Sequence, residues 1–284
     1  MGLNRPTRNH SIAQMLLRNF TNDRGYLFIL NKKKHKVYKS KPRKAFTENR
    51  RFVRFNEDGE QSDYEIERML SEFESAAAPA IRKLITAARK KGRPSLSPGE
   101  RLAAKMFYFT SHMRTPRRSG EILAEITSDQ ALDEAIHQNI EEIAASPLGK
   151  GIRDRNLLRD NLKRMAKHNV AADLAAGAPQ HIRRELDKRA TQVGLVAGVT
   201  QEPDTEFIIG SSATAQVEFR NGRNRMQGLW LPISYDVAIS ITGHFDEEHL
   251  FILDKTEVRK INVASYQESE YVAARSRDRL RLHV

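Results

Sequence analysis

Apolar spacing changes period twice along this chain, and that alternation restricts it to a fold in which strands flank a block of helices. Between residues 59 and 190 apolar side chains recur three and four apart, as in Ile66, Met69, Leu70 and Phe73, which lays one stripe along a helix. On either side they gather into short runs of β-branched and aromatic residues bounded by Gly, Asn and Pro, the signature of strands. We therefore expect an α+β fold: an N-terminal β-hairpin, a helical middle region, and a C-terminal antiparallel sheet with a final helix. A single domain over 1–284 is expected, divided into a basic helix and hairpin (1–58), a helical region (59–190) and a β-rich region (191–284).

Local signals place the elements. Ile12, Met15, Leu16 and Phe20 predict a short helix within 9–20, and Tyr26 to Leu30 and Lys36 to Ser40 predict a hairpin about the polar turn 32–35. Ser62 with Glu65 reads as a capping box for a helix that Pro79 should kink or break. Ser97, Pro98 and Glu100 supply the N-cap, first-turn proline and capping acid of a second helix, to about His112. Further helices are expected at roughly 119–145, 151–176 and 179–190, between Pro and Gly breakers. Strands are expected at 193–199, 206–209, 216–219, 228–232, 237–242 and 250–253, with a tight turn at Asn221-Gly222. Ser265 and Glu268 read as the cap of a terminal helix that carries Arg275, Arg277, Arg279 and Arg281.

Composition matters chiefly through where charge falls. The chain carries +12 overall, yet residues 1–56 hold 15 Lys and Arg against only Asp23 and Glu48, so the remainder is close to neutral. Such a concentration of cations attracts polyanions, nucleic acid first and an acidic protein partner as an alternative. On the predicted hairpin and the segment after it stand Lys32, Lys33, Lys34, Lys36, Lys39, Lys41, Arg43 and Lys44, the candidate nucleic-acid-binding residues. Tyr26, Phe28 and Tyr38 alternate with them and could stack on bases, or face the core instead. There is no cysteine, which removes disulfides and thiolate metal sites. No apolar run reaches the roughly 18 residues needed to span a bilayer, and none of signal-peptide length follows Arg5 and Arg8. A cytoplasmic location without membrane attachment is expected.

The segment Asn9-His10-Ser11-Ile12-Ala13-Gln14-Met15-Leu16-Leu17-Arg18-Asn19-Phe20 resembles the His-x-x-Pro...Leu-Arg-x-Phe motif of the bacterial family catalogued as domain of unknown function 4238. In the same order come Tyr64-Glu65-Ile66-Glu67 with Glu74, then Arg114-Thr115-Pro116, then Phe207-Ile208-Ile209 leading to Gly210-Ser211-Ser212-Ala213. At that last place the family has Ser-Asp-Asn-Pro. Leu231-Pro232-Ile233-Ser234, Asn262 and Tyr271 continue the match. Ala13 stands where the family has proline, and Ser211 where it has aspartate. The resemblance implies a bacterial or phage origin, one domain, and a set of polar positions.

Those positions allow a chemistry. His10, Arg18, Glu67 and Arg114 could serve as general base, phosphate clamp and orienting acid in phosphodiester cleavage, a nuclease-like reaction for which a divalent metal is the candidate cofactor. The same residues could equally be structural: His10 capping the first helix, Arg18 pairing with Glu67 or Glu74, Arg114 bonding the last carbonyls of its helix. A non-catalytic nucleic-acid-binding or adaptor module is the alternative function. No Gly-rich phosphate loop occurs, Gly210-Ser211-Ser212 lacks the closing glycine of a nucleophile elbow, and His244 and His249 around Asp246, Glu247 and Glu248 are spaced as a polar turn rather than a metal cluster.

Overall fold

The computed structural model describes residues 8–49, 54–55, 61–63, 65–113, 129–145, 152, 154–176, 188–221, 224–243 and 248–281. The chain begins with β1 (Arg8–His10), α1 (Gln14–Arg18), β2 (Leu27–Asn31), β3 (Lys36–Ser40), a 3-10 turn (Pro42–Lys44), β4 (Thr47–Asn49), β5 (Arg54–Phe55) and β6 (Gln61–Asp63). Helices come next: α2 (Glu65–Arg89), α3 (Pro98–Met113), α4 (Asp129–Ala145) and α5 (Arg155–Ala176). Then come β7 (Gly194–Thr200), β8 (Ile209–Gly210), β9 (Ala215–Asn221), β10 (Asn224–Pro232), β11 (Val237–Thr242), β12 (Glu248–Leu253), α6 (Lys255–Glu268), β13 (Tyr271–Ala274) and α7 (Arg277–Arg281). This is the expected α+β arrangement, and among the described residues no helix is long and apolar enough to cross a membrane.

Two sheets organise it. One has the order β12-β7-β11-β10-β9, the other β3-β2-β13-β8. All seven residues of β7 are buried, as befits an inner strand with β11 on one side and β12 on the other. The main core joins the N-terminal segment, α2, α3 and the C-terminal sheet, from Ile12 and Phe20 through Ile81 and Phe107 to Ile239 and Ala273. Leu27 and Ile29 turn one face of β2 into that core, while Leu30, Val272 and Leu280 of α7 form a smaller cluster with Ile208 and Ala274. The four-stranded sheet is thus apolar on both faces.

Several expectations are corrected. β12 pairs with β7 in parallel, so the C-terminal sheet is mixed rather than antiparallel. Ser62 lies in strand β6, and α2 starts only at Glu65. Pro79 does not divide α2, which runs as one helix from Glu65 to Arg89. Both Pro79 and Ser75, whose carbonyl loses its partner to the proline, are exposed, so water supplies the missing donor. The short helix expected within 9–20 is Gln14–Arg18, and Arg8–His10 before it pairs with Thr47–Asn49. Glu206–Ile208 forms no ladder, and only Ile209–Gly210 does.

The largest correction concerns the C-terminus. Ser265 and Glu268 belong to the last turns of α6, whose true capping box is Asp254 with Glu257. Beyond α6 the chain enters strand β13, inserted between β2 and β8, with Tyr271 opposite Asn31 and Val272 opposite Gly210. Ladder formation on both sides overrides the helical preference of Ala273 and Ala274. By contrast, the box at Ser97 and Glu100 forms as expected, each backbone N–H donating to the other's side chain. Asn221 is the last residue of β9, paired with Asn224, one place on from the register that a turn at Asn221-Gly222 implies, and Gly222 lies outside the described residues.

β8 lies tight against the end of α6. A Cβ on Gly210 would meet the Ser269 hydroxyl and stand 2.8 Å from the Ser265 carbonyl oxygen. Gly210→Ala is expected to lower stability by about 1–3 kcal/mol through overpacking, read as a fall in the urea midpoint at unchanged slope.

Candidate functional site

The hairpin β2–β3 presents its cations to solvent. Lys33, Lys34, Lys36, Lys39, Lys41, Arg43 and Lys44 are all exposed, two on the edge strand β3 and the others in the turn before it and the segment after it. Among the described residues no carboxylate forms an ion pair with any of the seven. The turn is held from within: Asn31, buried at 7% exposure, accepts the Lys34 N–H at 2.9 Å, and the His35 N–H reaches the Lys32 carbonyl at 3.2 Å.

Lys32 differs from its neighbours. Its Nζ donates to the Tyr266 carbonyl at 2.5 Å and sits 4.4 Å from the Tyr266 ring centroid. It thereby caps the C-terminal carbonyls of α6, and burial holds its pKa below the ordinary lysine value. The three aromatics also divide. Tyr26 carries Lys39 over its ring at 4.2 Å and Lys41 at 5.7 Å, and Phe28 packs against the smaller core cluster. Tyr38, 40% exposed, is the ring among them most open to solvent.

Two of the four expected catalytic residues have described side chains. His10 Nε2 lies 3.2 Å from the Arg43 carbonyl oxygen, which places it beside the basic segment. Arg18 is exposed and donates to Gln14 Oε1 at 3.1 Å, one turn back on α1. Glu67 lies on α2 with its side chain outside the described residues, and Arg114 lies outside them altogether. Among the described residues no group of three His, Asp or Glu could hold a metal ion. Glu248 and His249 belong to strand β12 rather than to a turn.

Among the described residues, several other motif positions make contacts within the fold. In the Leu-Arg-x-Phe stretch, Leu16, Leu17 and Phe20 are core residues, and Asn19 donates its side-chain amide to the Ile233 carbonyl at 2.9 Å. Asn262 donates to the Glu206 carbonyl at 2.8 Å and accepts the Ile208 N–H at 3.0 Å, clamping the segment before β8. Ser211, at the family's aspartate position, accepts the backbone N–H groups of Glu270 at 3.1 Å and Tyr271 at 3.3 Å. A carboxylate is suited to the same two donors, so the place of that aspartate is the entry to β13. Ser212 donates to the Glu268 carbonyl at 2.6 Å. Neither serine hydroxyl is poised as a nucleophile.

Sequence reasoning missed a stack around the β10–β11 turn. Two guanidinium groups stand over the Tyr235 ring, Arg275 at 4.5 Å and Arg89 at 5.3 Å from its centroid. Arg89 grips Asp236 through Nε at 2.6 Å and Nη2 at 2.9 Å, and Arg275 reaches Asp23 at 2.6 Å. These contacts fasten α2, the turn after α1 and the end of β13 to one tyrosine. Arg275 was visible as part of an arginine row, but nothing local pointed to its partners.

The two alanines at family proline positions are not equivalent. Ala13 has φ −50°, within reach of a proline ring. Ala213 has φ +44°, which no proline can adopt. Ala13→Pro is expected to raise stability by about 0.4–1 kcal/mol and Ala213→Pro to lower it by more than about 1 kcal/mol, both read from chemical denaturation.

A family model described as "Protein of unknown function (DUF4238)" matches residues 8–278. No curated protein and no solved structure matches the chain.

Proposed function

The chain belongs to the DUF4238 family, and we propose that it is a cytoplasmic nucleic-acid-binding protein that docks the phosphate backbone along the β2–β3 hairpin and the 3-10 turn after it. The observation that carries this reading is the row of seven exposed cations between Lys33 and Lys44, without a carboxylate partner among the described residues. Cations already paired to carboxylates have little left to offer a phosphate, whereas solvated ones release the polymer's counterions on contact. Tyr38 adds an exposed ring for base stacking beside them. We take binding without cleavage as the form of the reading, with His10 bonded to the Arg43 carbonyl of the basic segment and Arg18 to Gln14. An acidic protein partner would use the same cations, but without the steep salt dependence that a polymer's condensed counterions produce.

The test is a salt titration of affinity for a fluorescent duplex and for single-stranded RNA. Engagement of four to six of the seven cations predicts a log–log slope of about −3.5 to −5.5 on duplex DNA. Replacing Lys36, Lys39 and Lys41 by Glu should weaken binding by more than about ten-fold at low salt and flatten the slope by about 3. An affinity that ignores salt, or survives that triple substitution, removes the reading. Loss of intact polymer on incubation with Mg²⁺, abolished by His10→Ala, would instead restore the nuclease-like phosphodiesterase.

A further inference from the structure

Away from the hairpin, α6 and the segment before β8 enclose a cavity of about 270 Å³. Its floor is apolar, made by Ile208 and Val258, each 1% exposed. Its rim is charged: Lys255 and Arg259 stand one turn apart on α6, and Arg279 enters from α7. Lys255 and Arg259 are exposed and form no ion pair among the described residues.

One acid faces the three bases. The Glu206 side chain is 14% exposed, with Oε2 at 3.6 Å from Arg279 Nε and Oε1 at 4.0 Å from Arg275 Nη1. Burial pushes its pKa above the ordinary glutamate value although both arginines pull it down. Its backbone carbonyl is held by Asn262 at 2.8 Å, so the carboxylate is fixed in position at the wall rather than carried on a loose loop.

We propose that this cavity binds a small hydroxylated phosphate monoester, its phosphate facing Lys255 and Arg259, its carbon skeleton on Ile208 and Val258, and a hydroxyl donating to Glu206, which Arg279 holds in place while also donating to the Asp204 carbonyl. Charge selects the class. Three cations against one carboxylate leave a surplus of two, which a phosphate monoester of charge about −1.5 to −2 neutralises and a monocarboxylate does not. Guanidinium groups suit phosphate oxygens through their paired donors. The half-buried carboxylate can only accept, so the bound molecule must bring a donor within reach of the phosphate. A free sugar phosphate and the phosphorylated end of a polynucleotide share this chemistry. The cavity and its ligand are independent of the hairpin and of what the hairpin binds.

Isothermal titration of the full chain tests it, with ribose 5-phosphate, inorganic phosphate and ribose as probes, and a 5′-phosphorylated tetranucleotide against its 5′-hydroxyl form. Ribose 5-phosphate should bind saturably, about ten-fold more tightly than inorganic phosphate, and ribose not at all. Lys255→Ala and Arg259→Ala should each weaken it by about five- to ten-fold without moving the melting temperature, because both side chains are exposed. Glu206→Gln should erase the preference for the sugar phosphate over inorganic phosphate. Preference for the 5′-phosphorylated tetranucleotide over ribose 5-phosphate identifies a polymer end as the source, and the reverse a free metabolite. No binding of ribose 5-phosphate or of the phosphorylated tetranucleotide at millimolar concentration to folded protein, or binding that survives Lys255→Ala with Arg259→Ala, overturns the proposal. If Glu206→Gln fails to fold, the two exposed substitutions still decide. Unchanged binding in the Lys36, Lys39 and Lys41 variant keeps this site distinct from the hairpin.

Discussion

The double pairing of β13 is the interaction on which the rest depends. This four-residue strand hydrogen-bonds to β2 on one edge and β8 on the other, and through it the N-terminal hairpin becomes part of a four-stranded sheet. Two isolated strands are marginal in water, so β2–β3 owes its order to a segment from the far end of the chain. Ser211 reinforces the entry to β13 by accepting two backbone N–H groups there, and Gly210 permits the close approach of α6. The family motif around residue 211 therefore makes sense as a fastening.

The same sheet separates cations by task. Lys32 turns inward and satisfies the end of α6, whereas Lys36 and Lys39 of β3 are exposed, Lys39 over the Tyr26 ring. Arg275 and Arg89 are bound to Asp23 and Asp236 and stack on Tyr235. These arginines hold structure together and contribute little net charge. Formal charge counted along a sequence mixes these populations, and only the unpaired one can act on a distant polyanion.

What could be read in advance was what is local. The hairpin was legible because Leu27, Ile29 and Leu30 alternate with the turn and charge signals of 32–41, and the Ser97–Glu100 box because both partners lie within four residues. Ser265 and Glu268 have the same spacing as the working box at Asp254 and Glu257, and sequence alone offers no way to tell a start from an end inside one helix. β13 was hidden because its Ala273 and Ala274 favour helix until two strands flank them. The stack at Tyr235 and the cavity at Glu206 were out of reach, since their members meet across separations such as the 252 residues between Asp23 and Arg275.

The pairing of Asn31 with Tyr271 also bears on biosynthesis. At ordinary translation rates about 10–50 s elapse between their emergence from the ribosome, and for that interval β2 has an open flank bearing Leu27, Phe28, Ile29 and Leu30. A hydrophobic edge left waiting is a template for aggregation. The lysines beside it repel other chains, so they act as gatekeepers during synthesis, before any ligand is met.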